Sequence, residues 1–339
     1  MKLIKTEEAV GHVLCHDLTQ IIKDQYKDAR FRKGHVVTEE DIPVLLSMGK
    51  EHLYVWEMTP GMLHENDGAE RLCALCANEH MDRSEVKEGK IELKAACDGL
   101  FRVNSEKLIA VNSIEDLMIA TRKGGTAVRK GNKLAGMRVI PLIIPEEKLR
   151  AAEDAAGTAP LLELKPWVRK TAAIVATGSE GKKGLIQDTF TPVVKDKLAA
   201  YGIKTISVAY SGDGVENVAN AVTEARKTGA DVILCTGGMS VDPDDNTPGG
   251  IKASGAKIVT YGAPVLPGAM FLLGYYDDGT PVMGLPGCVM YAGATILDLV
   301  LPFVAADVPV TRAQIVALGE GVLCLGCKPC HWPACPFGK

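Results

Sequence analysis

Asp231-Val232-Ile233-Leu234-Cys235-Thr236-Gly237-Gly238 sets an unbroken apolar run directly before a glycine turn. A run that short, closed by a turn, reads as a strand buried on both faces. Upstream, Ala172–Ala176 has the same build and ends in Thr177-Gly178. Between the two lie a helical stretch at Phe190–Tyr201, a strand at Lys204–Ala209 and a helix at Val215–Thr228. Downstream come strands at Lys257–Thr260 and Pro281–Leu285, the second ending in Pro286-Gly287, and an apolar helix at Met290–Val304. Strands alternating with helices of about 10 to 15 residues predict an α/β domain, a three-layer αβα arrangement around a mostly parallel sheet.

Ahead of this rhythm the pattern is different. Residues 1–57 read as a mixed α/β segment, with Thr38-Glu39-Glu40-Asp41 opening a helix that stops at Gly49. Residues 58–165 read as a β-rich accessory domain. Lys90–Cys97 and Gly99–Val103 flank the turn signal Asp98-Gly99, and Ser113-Ile114-Glu115-Asp116 opens a helix ending near Gly124. Lys130-Gly131-Asn132-Lys133 reads as a hairpin turn, and a helix after Pro145 runs into a connector. The α/β domain is then placed at 166–308 and a cysteine-rich tail at 309–339.

Hydrophobic content of 47% and charged content of 24% are ordinary globular values, so a real core can be buried. No run approaches the ~18 apolar residues of a membrane span. The charged start, Met1-Lys2-Leu3-Ile4-Lys5, lacks the apolar stretch of a signal peptide, which predicts a cytoplasmic protein with no membrane partner. A net charge of −4 lacks the basic footprint of a nucleic-acid binder.

The candidate chemistry gathers at strand ends. Open parallel sheets bind ligands at the carboxyl ends of their strands. Three strands here end in glycine-bearing loops: Thr177-Gly178-Ser179-Glu180, Thr236-Gly237-Gly238-Met239-Ser240, and Leu285-Pro286-Gly287. Glycine lets backbone approach a ligand, and bare N–H groups hold anions, so the trio points to a phosphate-bearing ligand. Glu180, Asp213, Asp242, Asp244 and Asp245 follow these strands. Carboxylates beside a phosphate need a cation between them, and Mg2+ uses one or two carboxylates plus substrate oxygens. Alternatively, Asp213 and Asp244 or Asp245 cap the helices that follow.

Ten cysteines stand in the chain, four of them as Cys324, Cys327, Cys330 and Cys335. Such spacing predicts a metal centre, either zinc held by all four cysteines or by three of them and His331, or an iron–sulfur cluster. The tail should then be dispensable to the α/β domain before it. Cys73 and Cys76 lie in a helical stretch and read as packing residues. His12 and His16 would share a helix face, but Val10, Val13 and Leu14 favour a strand passing into a turn.

The ordered runs Thr177-Gly178-Ser179-Glu180, Thr236 through Pro248, and Leu285-Pro286-Gly287 resemble the molybdopterin-binding domain shared by MoeA, MogA and gephyrin. The remainder is similar to a MoeA-like subgroup with a cysteine-rich tail. The resemblance implies a MogA-like fold, molybdopterin or its adenylylated form as ligand, and a part in molybdenum cofactor biosynthesis or insertion, including a Mg2+-dependent molybdotransferase-like reaction. It makes Glu180, Asp213 and Asp245 the catalytic acids. Thr177, Gly178, Ser179, Thr236, Gly237, Gly238, Met239, Ser240, Pro286 and Gly287 become the ligand-binding residues. It further implies molybdate and a molybdenum-enzyme client as partners, and a homo-oligomer, dimer or trimer. Two departures stand out: the Met-Asp-Gly-Tyr-Ala segment of MoeA is missing, and its Lys-Pro-Gly-Lys-Pro loop reads Leu266-Pro267-Gly268-Ala269-Met270 here. Loss of both lysines favours a non-catalytic carrier or maturation factor over molybdate insertion. A nucleotide pyrophosphatase of the competence-damage type is the third reading.

Overall fold

The computed structural model describes residues 2–22, 26–55, 60–178, 188–243 and 245–339. Its contacts divide the chain into two compact units. One comprises Met1–Ala96, Val103–Arg122 and Gly131–Glu163; the other comprises Cys97–Arg102, Lys123–Lys130 and Leu164–Lys339.

The first unit opens with β1 (Lys2–Lys5), β2 (Leu18–Ile22), β3 (Tyr26–Phe31), α1 (Asp41–Ser47) and β4 (His52–Val55). β1 pairs with β4 and β2 with β3, all antiparallel, over a core of Leu14, Leu45, Leu53 and Val55. α1 gives way at Gly49, whose φ of 74° is the left-handed conformation that ends a helix. Val13 and Leu14 form bridges to Val36 and Val55, so the His12–His16 stretch is extended and not helical. β5 (Met62–His64), α2 (Glu65–Cys76), β6 (Met81–Arg83) and β7 (Lys90–Ala95) follow. Cys73 and Cys76 are buried on α2, and burial pushes the Cys76 thiol up to about 12, so both act as packing.

The turn signals that follow carry the chain between sheets, and neither makes a hairpin. β7 pairs with β6 and with β11 (Lys133–Val139), whereas β8 (Gly99–Val103) pairs with β10 (Thr126–Val128). Local turn chemistry fixes a reversal but not the strand that receives it. No helix opens at Ser113, which instead ends α3 (Ser105–Asn112) as its C-cap. Asn104 accepts the Lys107 amide and starts it, and Asp116, at φ 72°, lies in a turn leading to β9 (Leu117–Thr121). β12 (Ile143–Pro145) and α4 (Glu146–Ala156) close this unit, and β13 (Leu162–Pro166) leads into the next.

The second unit is built on β14 (Thr171–Thr177), α5 (Phe190–Ala199), β15 (Lys204–Ser211), α6 (Val215–Lys227), β16 (Val232–Thr236), α7 (Thr247–Ala253), β17 (Lys257–Tyr261), β18 (Leu272–Tyr275) and β19 (Pro281–Leu285). α8 (Ile296–Ala305) and α9 (Arg312–Ala317) follow. The six strands form one mixed sheet in the order β15-β14-β16-β19-β18-β17. The first four are mutually parallel and β18 runs antiparallel to both neighbours. Alternate residues of one strand enter different cores. Ile174, Leu234 and Met283 meet Val194 and Leu198 of α5 and Leu297 and Val300 of α8. Val175, Ile233 and Val282 meet Val218 and Val222 of α6 and Ile251 of α7. Each such buried side chain contributes about 1.5–3 kcal/mol, which makes this sheet the anchor of the unit.

α8 begins at Ile296 and not at Met290. Thr295 and Asp298 form a reciprocal capping box, and Asp298 also takes a 2.6 Å ion pair from Lys197 of α5. Gly287–Met290 is a 3-10 turn instead. The tail folds back onto the unit. The Leu266 amide donates to Val322 O and the Cys324 amide to Leu266 O, while Gly338 N bonds Gly321 O. Val322 and Phe337 are each 3% exposed within the sheet's core, and Trp332 meets Phe337 edge-on. The tail is therefore part of the domain's packing, contrary to the expectation that it follows a finished unit.

Among the described residues, no helix is long and apolar enough to cross a membrane.

Candidate functional site

The parallel register aligns the ends of three strands. Ala176 lies opposite Thr236, and Thr236 opposite Leu285, so Thr177-Gly178, Gly237-Gly238 and Pro286-Gly287 emerge side by side at one edge. Two threonines lock this edge together. Thr177 Oγ1 donates to Thr236 O at 2.9 Å and shares a 2.9 Å hydrogen bond with Thr247 Oγ1 at the start of α7. The Gly178 amide bonds Ser211 O at the end of β15, which joins the fourth parallel strand.

The glycines at 237 and 238 are required by both conformation and space. Their φ values are 85° and 54°, and a β-carbon on Gly237 would sit 2.4 Å from the Thr177 carbonyl oxygen. On Gly238 it would sit 2.7 Å from Thr247 Oγ1. Of the remaining expected binding residues, Thr236 is buried, Ser240 is exposed and Gly287 opens the 3-10 turn. The Met239 side chain is core, 4% exposed and facing α6 and α7, so only its backbone borders the edge. Ser179 and Glu180 lie outside the described residues, as does Asp244.

Gly214 and Asn246 occupy the N-cap positions of α6 and α7, one residue after Asp213 and Asp245. Asp213 is exposed, and its backbone oxygen takes a bond from Asn217; Asp245 is half-buried. Asp245 also lies close enough to Tyr261 to help raise that phenol, after burial, which is the larger cause. No motif in the sequence marks Tyr261. Its hydroxyl donates to Met239 O at 3.0 Å and to Ser240 O at 3.3 Å, which ties the end of β17 to the second glycine loop.

Among the described residues, no three His, Cys, Asp or Glu side chains gather closely enough to hold a metal ion. Cys324 and Cys335 are half-buried against the core, while Cys327 and Cys330 are exposed.

Several known proteins are similar to a part of the chain. A CinA-like protein of Pseudothermotoga lettingae is 36% identical over 78 residues, 23% of this chain and 19% of the relative. A probable FAD synthase of Caenorhabditis briggsae is 32% identical over 84 residues, 25% of this chain and 16% of the relative. The chain thus spans about a fifth of the length of such relatives. Among solved structures, the molybdopterin biosynthesis Mog protein of Mycobacterium ulcerans aligns with a TM-score of 0.33 and 20% identity, over 41% of this chain and 97% of that one. CinA from Thermoplasma acidophilum aligns with 0.34 and 18%, over 40% and 98%. Residues 3–57 match the model of a domain of unknown function, DUF8806. Residues 173–306, from β14 to the end of α8, match the family described as a probable molybdopterin binding domain.

Proposed function

We propose that the glycine edge of the second unit binds molybdopterin or its adenylylated form, and that the chain serves molybdenum cofactor biosynthesis as a carrier or maturation factor. The observation that carries this reading is the common register of Ala176, Thr236 and Leu285, which brings three phosphate-competent loops to one edge within the matched domain. Backbone N–H groups there suit the ligand phosphate, and Mg2+ held by Asp245 would neutralise it. Insertion of molybdate is disfavoured because Leu266 and Ala269 stand where the resembling family has cations. Losing two charge-assisted bonds removes the stronger contacts an oxyanion would use.

Gentle purification followed by mass spectrometry of the retained small molecule tests the reading. A pterin phosphate is expected, and its release should follow chelation of Mg2+. A second reading is a nucleotide pyrophosphatase of the competence-damage type, supported by relatives named putative competence-damage inducible protein. Release of mononucleotide from dinucleotide substrates, with no pterin retained, would replace the first reading with the second.

A further inference from the structure

The structure points to a second anion site, in the first unit and independent of the glycine edge. Ala29 to His35, with Asp41 and Val44, line an open groove of about 660 Å³. The chain has twelve arginines, and ten of them are engaged. Arg71, Arg83, Arg129, Arg138, Arg150, Arg169 and Arg226 pair with carboxylates, Arg122 and Arg312 donate to Asn132 and Thr260, and Arg102 also has a partner. Arg30 and Arg32 are the other two. Both are exposed and line this groove; among the described residues neither guanidinium donates a hydrogen bond or forms an ion pair. Arg32 reaches Asp28 only through its field.

The groove's frame is fixed by other groups. Leu18 pairs with Phe31 and Thr19 with Ala29, which leaves Arg30 as the extra residue of a β-bulge. A bulge re-aims its side chain, and bulges concentrate beside functional sites. Phe31 is 7% exposed and anchors the strand between the two arginines. The Lys33 amide donates to Asp17 and its ammonium meets His64 Nδ1 at 3.1 Å. The one acid in the lining, Asp41, is taken by His35 at 2.6 Å. Among the described residues, two forked guanidinium groups therefore line the groove with no hydrogen-bonded or ion-paired carboxylate, in a chain whose net charge is −4. Guanidinium forks match phosphate oxygens two at a time, and a pair of them suits a ligand with two adjacent anionic groups. We infer that Arg30 and Arg32 bind a small diphosphate-bearing molecule.

Arginine labelling with phenylglyoxal, read residue by residue by peptide mass spectrometry on the full chain, tests this. Arg30 and Arg32 should label first, and pyrophosphate should slow both by about fivefold or more, as charge-assisted contacts of this kind require. Arg32→Gln should abolish the protection at Arg30, while the labelling of Arg169 stays unchanged. Unaltered rates at saturating pyrophosphate would overturn the inference. So would protection by a short DNA duplex but not by pyrophosphate, which would make the groove a nucleic-acid contact. Because the readout is specific to these two arginines, its outcome is separate from that at the glycine edge.

Discussion

Tyr261 joins β17 to the Gly237–Ser240 loop through two carbonyls, and its ring is 42% exposed beside Asp245. Tyr261→Phe keeps the ring and removes the tie. Stability should fall by about 0.5–1.5 kcal/mol, the worth of such hydrogen bonds, while ligand affinity falls several-fold because the loop is no longer held. Unchanged affinity in titration calorimetry would make the hydroxyl purely structural. The two loop glycines should differ when replaced by alanine. At 237 the new methyl meets a strand carbonyl that cannot move; at 238 it meets a threonine hydroxyl that can turn. Urea unfolding should therefore show Gly237→Ala to be the costlier, by upward of about 2 kcal/mol in total. Equal losses at both positions would refute that ordering. The glycines and threonines were legible in the sequence because their chemistry is local. Tyr261 was not, since its partners lie more than 20 residues away and no spacing announces them.

Among elements, the strands of the second unit were legible because each is a short apolar run closed by a turn; Pro281–Leu285 has the expected bounds. The start of α8 was not, because Met290 to Ala294 carries no charged residue to break the run, and the Thr295–Asp298 box marks the boundary. Partners of β7, β8, β10 and β11 escape the sequence for a different reason: pairing is decided by tertiary packing and not by the turns between them. The tail shows the same limit. Its cysteines dominate the sequence, yet Val322 and Phe337 decide its place. Phe337→Ala should cost about 3–5 kcal/mol and detach the tail, and deletion from residue 322 should lower the melting temperature of the domain. A deletion variant that melts like the full chain would show that the tail adds nothing to the core.

Across the whole molecule, the chain passes between its two compact units five times, at residues 96/97, 102/103, 122/123, 130/131 and 163/164. Within the second unit, Leu100 is fully buried with Ala306 and Val308 and packs on Trp167 and Phe303. A fragment beginning at residue 164 lacks Leu100 and should be less stable than the same unit in the full chain, by the roughly 2–5 kcal/mol that emptying a large aliphatic site costs. Equal urea midpoints for that unit in both contexts would contradict this. The central claim is ligand binding at the glycine edge, and amide hydrogen exchange during a titration with molybdopterin tests it most directly. Saturable protection of the Thr177–Gly178, Thr236–Ser240 and Pro286–Gly287 segments together is expected, diminished when Mg2+ is chelated or Asp245→Asn is introduced. No binding by the wild-type chain, or binding that leaves those three segments exchanging freely, would contradict it.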